Sequence, residues 1–261
     1  MKGRTIQELR APDGTRLALH RLGGPAGAPR VLVVPGFWRS GFSPGMRRLA
    51  AHLSERWRPL VLDLRGHGKS GGVFTFGRDE PEDLAVVLEA LQREEGAPVA
   101  LVGFSMGGAV AIVTVGRGRD RFPAVASVAS VSAPVDPALL RPRWWSLSAL
   151  RNVRLREIWR VPRFLPPQLV RDRPDLLAAA AALSQVPLLV LHARRDWLVP
   201  DSDAVAIFGA ARDPRELRLL EGRLGHHADA LLAYRRRDLL ALLDPWLEGT
   251  FRSFSGAEVT S

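Results

Sequence analysis

Short apolar runs alternate with helical patterns along most of this 261-residue chain, and the alternation strongly restricts its fold. Six runs rich in Val, Leu and Ala have the length of buried strands: residues 30–36, 60–64, 99–103, 125–131, 187–191 and 216–220. Between them lie segments of helical period, such as Leu84, Val87, Leu88 and Leu91. Because strands that alternate with helices form parallel sheets, the pattern predicts an α/β fold with a mostly parallel central sheet flanked by helices.

The beginning of the chain has a hairpin pattern instead. Residues 5–9 and 16–22 flank Pro12-Asp13-Gly14, a turn sequence, and predict two antiparallel strands. Together with the six buried runs, they predict an eight-stranded sheet in a single domain over residues 1–250. Residues 251–261 are rich in small and polar residues and are predicted to be a flexible tail.

One insertion, at residues 137–185, interrupts the alternation and contains no strand pattern. It carries Trp144, Trp145 and Trp159, and residues 139–175 hold nine arginines against three acidic residues. Because the flanking strands end at one edge of the sheet, the insertion is predicted to form a small helical cap over that edge. Three interpretations of its charge stay open: a solvated cap face, a surface that attracts anionic substrates, or an interfacial lid that contacts lipid.

Composition excludes several classes of protein. The chain has 37 basic and 27 acidic residues, but the arginines are scattered and no binding motif accompanies them, so no nucleic-acid partner is expected. The chain has no cysteine, which excludes a disulfide scaffold, a thiolate metal site and a cysteine nucleophile. The low number of amide side chains and the lack of cysteine are typical of heat-adapted proteins.

Neither a membrane span nor a secretory signal is predicted. The longest apolar stretch, Leu176–Ala193, is interrupted by Ser184, Gln185 and Pro187, which is typical of a helix end followed by a buried strand. Residues 1–5 have no apolar run behind their charges, so we expect a cytoplasmic location. The sequence leaves the oligomeric state open.

The segment Gly103-Phe104-Ser105-Met106-Gly107-Gly108 carries the strongest signal for chemistry. It follows a predicted strand and opens a helical pattern, which is the context that a nucleophile elbow requires. The glycines two positions before and after Ser105 leave room for a sharp turn. The helix that starts at Met106 directs its positive end toward the serine and favours an oxyanion there. Ser105 is therefore the predicted nucleophile.

A serine nucleophile needs a base and an orienting acid, and in elbow enzymes both follow the serine in the chain. Asp196 comes just after the fifth buried run and is the predicted acid, with Asp136 as the alternative. His226, in the loop after the last strand, is the predicted base, and its neighbour His227 is the alternative. His192 ends a buried strand and is predicted to be a structural histidine.

With these motifs, the chain resembles the α/β-hydrolase superfamily over nearly all of its length. The segment Asp63-Leu64-Arg65-Gly66-His67-Gly68-Lys69-Ser70 is similar to the DxRGxGxS loop of that superfamily, which is structural in relatives. The resemblance implies that Asp63 and Arg65 form a polar pair that stabilises the loop. It also implies that His67 takes no direct part in chemistry.

The same resemblance indicates where an oxyanion hole would lie. Relatives have His-Gly after the third strand, whereas this chain has Pro35-Gly36 followed by Phe37-Trp38. The donors in relatives are backbone N–H groups, so the proline need not harm catalysis. By the resemblance, the donors here are the N–H groups of Phe37 and Met106.

Five of the seven tryptophans are close to predicted site elements: Trp38, Trp144, Trp145, Trp159 and Trp197. They predict an apolar pocket for an acyl chain or a hydrophobic alcohol, with packing of the insertion onto the core as the alternative.

The triad and the resemblance together predict a serine hydrolase. We expect a carboxylesterase that cleaves esters of small or medium acyl chains through an acyl-serine intermediate, with no metal and no organic cofactor. Thioesterase, lipase-like or peptidase activity on the same triad stays open, as does a non-catalytic homologue that binds a small ligand. Serine rather than aspartate at the elbow argues against dehalogenation and epoxide opening.

Overall fold

The computed structural model describes residues 4–94, 97–140, 160–221, 227–228 and 230–258. Its central sheet has eight strands: β1 (Arg4–Arg10), β2 (Arg16–Leu22), β3 (Arg30–Val34), β4 (Arg58–Asp63), β5 (Val99–Phe104), β6 (Val125–Val131), β7 (Leu188–Ala193) and β8 (Arg215–Leu220). The strand order is β1-β2-β4-β3-β5-β6-β7-β8. The β1–β2 and β2–β4 pairs are antiparallel and the other neighbours are parallel. The predicted mostly parallel sheet with an opening hairpin is confirmed.

Helices cover both faces of this sheet. The described helices are α1 (Pro44–Leu53), α2 (Glu80–Arg93), α3 (Met106–Arg117), α4 (Leu176–Ala181), α5 (Asp201–Ala210), α6 (Ala230–Tyr234) and α7 (Arg236–Glu258). Helices α2 to α5 pack on one face, whereas α1, α6 and α7 pack on the other. Successive strand residues point to opposite faces, so Leu32 and Val34 contact the first layer while Val31 and Val33 contact the second. Because both faces are buried, the inner strands are continuous apolar runs.

The neighbouring strands β3 and β5 form the switch point of the sheet. The helix that follows β3, α1, covers one face, and the helix that follows β5, α3, covers the other. The loops leaving the carboxyl ends of these two strands therefore diverge and leave a crevice, which is where ligands bind in sheets of this kind. The loop from Pro35 follows β3, and Ser105 follows β5 directly.

The predicted cap is described only in part. A 3₁₀ turn at Pro137–Leu140, another at Pro167–Leu169 and helix α4 belong to it, and residues 141–159 lie outside the described residues. Backbone hydrogen bonds attach residues 163–165 to the core: the N–H of Arg163 donates to Gly66 O at 3.0 Å, and the N–H of Phe74 donates to Arg163 O at 2.8 Å. A helical cap over 137–185 as a whole stays a prediction.

The carboxyl-terminal helix is longer than predicted. Helix α7 extends to Glu258, so residues 251–258 are helical and do not form the predicted tail, while residues 259–261 lie outside the described residues. The reason is that Phe251, which is only 5% exposed, and Phe254 continue the apolar stripe of the helix and pack into the same core layer as Leu247. Within the described part of the chain, no helix is both long enough and apolar enough to cross a bilayer.

Candidate active site

The turn between β5 and α3 holds Ser105 in a strained conformation. Its φ is 51° and its ψ is −123°, a region that non-glycine residues rarely occupy. Both backbone polar groups of Ser105 are hydrogen-bonded: its N–H donates to Val131 O at 2.8 Å, and its carbonyl oxygen accepts the first helical bonds, from the N–H groups of Gly108 and Ala109. The side chain is thereby presented at the amino terminus of α3, as the elbow prediction requires.

Three glycines allow this turn because no side chain fits where they lie. A Cβ on Gly103 would lie 2.5 Å from Gly107 O, and a Cβ on Gly107 would lie 2.1 Å from Val34 O. A Cβ on Gly36 would lie 3.0 Å from the Cβ of Ser105, so the loop after β3 passes directly beside the nucleophile. The predicted need for small residues around Ser105 has this steric origin.

Ser105, Asp196 and His227 form one hydrogen-bonded chain. The Ser105 hydroxyl lies 2.8 Å from His227 Nε2, and His227 Nδ1 lies 2.9 and 3.1 Å from the two oxygens of Asp196. An ionised carboxylate only accepts, so Nδ1–H donates to Asp196 and Nε2 accepts from the serine. All three residues are buried. This is the geometry of a serine nucleophile with a base and an orienting acid.

The assignment of His226 as the base is corrected in favour of His227. The imidazole of His227 already bonds both Ser105 and Asp196, so the position between them is filled. His226 itself lies outside the described residues. Spacing along a loop does not separate adjacent histidines. In the structure, the residue after His227, Ala228, is buried, and its carbonyl accepts from Leu231 N–H at 3.0 Å at the start of α6.

Asp196 is fixed by its own turn. Its Oδ1 accepts the N–H groups of Leu198 at 2.9 Å and Val199 at 3.1 Å, so the carboxylate is oriented before it contacts the histidine. Burial by itself raises the pKa of Asp196, but the charge and hydrogen bond of His227 and the proximity of His192 outweigh it, and the pKa lies below its ordinary value. Asp196 therefore stays ionised beside the histidine.

Neither the rival acid Asp136 nor the strand histidine His192 belongs to this hydrogen-bonded chain, although His192 Nε2 lies 3.8 Å from Asp196 Oδ2. Asp136 has a side chain that is 43% exposed and pairs with Arg173 at 3.4 Å. His192 is fully buried and its Nε2 donates to Val199 O at 3.1 Å, as expected for a structural histidine. Its Nδ1 has no hydrogen-bond partner within the part of the chain that the structure describes.

The two predicted oxyanion donors come from the two sides of the crevice. Met106 is the first residue of α3, where backbone N–H groups have no partner inside the helix. Phe37 lies in the loop after β3, and its ring packs against Phe74 and Phe76 with centroid distances of 5.3 and 4.9 Å. Cap residue Phe164 packs edge-on against the same ring at 5.2 Å. The loop is thus held by aromatic contacts to both core and cap.

The DxRGxGxS loop is stabilised by separate bonds of Asp63 and Arg65, and not by the predicted pairing of these two residues. Asp63 accepts from the N–H groups of Gly41 at 2.7 Å and Lys69 at 2.8 Å. Arg65 makes a bidentate bond at 2.6 and 2.7 Å to Asp83 of α2 rather than to Asp63. Each residue therefore binds the loop to a different part of the core, and neither lies in the triad.

Two of the five tryptophans of the predicted pocket, Trp38 and Trp197, lie in the part of the chain that the structure describes, and neither lines the cavity along α3. Trp197 packs edge-on against the ring of His227 at 6.2 Å, and Trp38 packs edge-on against Phe37 at 5.7 Å. Trp144, Trp145 and Trp159 lie outside the described residues.

A cavity of about 420 Å³ lies along α3 instead. Met106, Ala109, Val110 and Val113 form its floor at helical spacing, and residues of segment 170–177 line the other side. The sequence predicts Met106 only as an oxyanion donor and assigns none of these α3 side chains to a pocket, because an apolar face of a helix is also what core packing requires. Among the described residues, no cluster of His, Asp or Glu has the arrangement of a metal site.

Comparison with known proteins defines the class of the chain. Residues 31–256 match the alpha/beta hydrolase family, and the chain belongs to this family. It is 25% identical over 237 residues to the uncharacterized protein YfhR of Escherichia coli, covering 85% of this chain and 73% of YfhR.

Two further relatives have named activities. The chain is 32% identical over 145 residues to the lipase LipV of Mycobacterium tuberculosis, which is 52% of this chain and 53% of LipV. The Pyrococcus furiosus esterase Pf2001 has a similar structure, with a TM-score of 0.73 at 19% identity over 95% of this chain and 93% of the esterase. That structural likeness concerns the fold.

Proposed function

We propose that this protein is a serine hydrolase that cleaves carboxylic esters of small or medium acyl chains. The observation that carries the proposal is the continuous chain of hydrogen bonds from Ser105 through His227 to Asp196, at the carboxyl edge of the sheet. Membership of the alpha/beta hydrolase family and the similarity to an esterase and a lipase support it.

In the proposed reaction, Ser105 Oγ attacks the ester carbonyl while His227 Nε2 takes its proton. Asp196 keeps the proton of His227 on Nδ1 and stabilises the imidazolium that forms. The backbone N–H groups of Phe37 and Met106 hold the oxyanion, and one such donor contributes about 3 kcal/mol to lowering the barrier. The imidazolium then protonates the leaving alcohol, and an acyl-serine remains. Water attacks this ester with His227 as base and releases the acid. Neither a metal nor a cofactor enters any of these steps.

The cavity along α3 supports a small or medium acyl chain. From Met106 to Val113 the floor extends over two helical turns, about 10 Å. Because Met106 is also the residue next to the nucleophile, an acyl chain on Ser105 would enter this cavity at its near end. The apolar floor suits a hydrocarbon chain, whereas the opposite side carries charged residues: Asp136, Arg171, Asp172, Arg173 and Asp175.

A panel of aryl esters of increasing acyl length tests the proposal. We expect hydrolysis with a maximum at short or medium chains, and loss of turnover in Ser105→Ala. Thioesters, water-insoluble lipid esters and peptide amides in the same panel would reveal the related activities if they are preferred. A folded wild-type protein that hydrolyses none of these, yet binds the esters, would be a ligand-binding homologue and would refute the proposal.

A further inference from the structure

His67 is a buried histidine that the proposed reaction does not use. It is 2% exposed and bridges two backbone segments. Its Nδ1 lies 3.0 Å from the carbonyl oxygen of Arg65, in its own loop. Its Nε2 lies 3.1 Å from the backbone nitrogen of Trp38, in the loop after β3.

These two contacts determine the position of its proton. A carbonyl oxygen only accepts, so Nδ1 carries the hydrogen, and a backbone N–H only donates, so Nε2 presents its lone pair to Trp38. Burial lowers the pKa of His67 to about 4, although the bond to Arg65 O and the charge of Asp63 raise it. The acceptor at Nε2 is therefore available at neutral pH.

The bond falls on a backbone position that needs support. Trp38 has a φ of 74°, in the left-handed region that non-glycine residues avoid. The peptide unit that His67 binds is the one joining Phe37 to Trp38. The His67 ring also contacts the Phe37 side chain edge-on at 5.5 Å. The His67 ring thus contacts the Phe37 side chain, and its bond to the Trp38 N–H restrains the orientation of the Phe37–Trp38 peptide.

We propose that His67 is a positioning residue for the oxyanion loop: by accepting the Trp38 N–H, it orients the Phe37–Trp38 peptide so that the Phe37 N–H faces the substrate carbonyl. Because the Trp38 N–H donates to His67, the donor that this loop contributes to the oxyanion hole is the Phe37 N–H. His67 touches no reacting atom. The inference rests on the proposed esterase function.

A purely structural role would have different requirements. His67 also packs edge-on against Phe74 at 4.8 Å, so any side chain of similar size would fill its space. Positioning, in contrast, requires an acceptor at the place of Nε2. Two substitutions separate the requirements. The Gln side chain of His67→Gln is long enough to place its oxygen near the position of Nε2 and accept from Trp38. The shorter Asn side chain of His67→Asn reaches only the position of Nδ1, where it can donate to Arg65 O but offers Trp38 no acceptor.

The test compares kcat and KM of these variants on one short aryl ester, with thermal unfolding to monitor the fold. We expect His67→Asn to lower kcat about 10-fold to 100-fold with KM nearly unchanged, since a misplaced group costs up to about that much. His67→Gln should recover most of the loss. His52→Leu is the control, because it removes a histidine–carboxylate bond of 2.8 Å to Asp244, which involves neither the triad nor the oxyanion loop, and should leave kcat unchanged.

The ¹⁵N shifts of His67 in the wild-type protein give a second measurement that needs no variant. We expect a protonated Nδ1 and an unprotonated Nε2. A protonated Nε2 at neutral pH would overturn the proposal, and so would equal kcat values for wild type, His67→Gln and His67→Asn. Failure of the proposed function is seen separately, as a wild-type protein without ester hydrolysis or an active Ser105→Ala variant.

Discussion

Replacing the triad acid by its amide, Asp196→Asn, should leave the fold intact and remove nearly all activity. In the native site, Asp196 Oδ1 accepts two backbone N–H groups, from Leu198 and Val199. Only the amide oxygen can take this position, so the NH₂ group of asparagine must occupy the place of Oδ2. There it faces His227 Nδ1 at 2.9 Å, and two donors oppose each other.

The Nδ1–H of His227 then keeps only the longer contact, 3.1 Å, to the amide oxygen, which already accepts two backbone N–H groups, so the tautomer with the proton on Nε2 is favoured. In that tautomer the histidine cannot accept the proton of Ser105, so the nucleophile is not activated. The loss in kcat for such a tautomer change is about 10⁴-fold, equivalent to about 5 kcal/mol of barrier. The two backbone bonds survive, so we expect the free energy of unfolding to change by only about 1 kcal/mol.

Steady-state kinetics on a short aryl ester, urea unfolding and the ¹⁵N shifts of His227 measure these three quantities. Asp136→Asn is the matched control, since Asp136 is exposed and pairs with Arg173. A kcat for Asp196→Asn within about tenfold of wild type, or a larger loss for Asp136→Asn, would refute the reasoning.

Three further outcomes follow from the same structure. His227→Ala should lower kcat by at least about 10³-fold, while His226→Ala should keep most of the wild-type kcat. Equal losses in the two variants would mean that the base is not assigned correctly. Gly107→Ala should lower the free energy of unfolding by about 3 kcal/mol or prevent folding, since its Cβ would meet a backbone oxygen at 2.1 Å. Gly209→Ala in helix α5 is the control: a Cβ there would have nothing within 4 Å, so we expect a slightly higher free energy of unfolding. The urea midpoints of the two variants measure the difference. Between pH 6.5 and 4 the unfolded chain binds a proton that folded His67, with its pKa of about 4, does not. The free energy of unfolding should therefore fall by up to about 3 kcal/mol on acidification through this window, a component that is absent in His67→Gln.

The sheet and the elbow could be predicted because they depend on local patterns. Apolar runs of strand length, separated by helical periods, determine the order of the elements, and the glycines at 103 and 107 have a steric reason that holds in any strand–turn–helix of this type. Asp196 was predictable for a similar reason, since the end of β7 brings it to the same edge as Ser105.

Other features depend on contacts between distant segments. His226 and His227 differ by one position, and only the packing of the loop determines which imidazole reaches Ser105. Likewise, the bond of Arg65 to Asp83 joins residues 18 positions apart, and that of His67 to Trp38 joins residues 29 positions apart. Helix α7 continues past residue 250 because Phe251 finds a place in the core beside Trp57, at a ring distance of 6.5 Å.

The central claim, that His227 activates Ser105, is tested most directly by a fluorophosphonate probe followed by peptide mass mapping. We predict a single labelled site, Ser105, in the folded wild-type protein. Labelling should be strongly slowed in His227→Ala, nearly unchanged in His226→Ala, and absent after denaturation. Absence of label on Ser105 in the folded protein, or equally fast labelling of His227→Ala, would contradict the account.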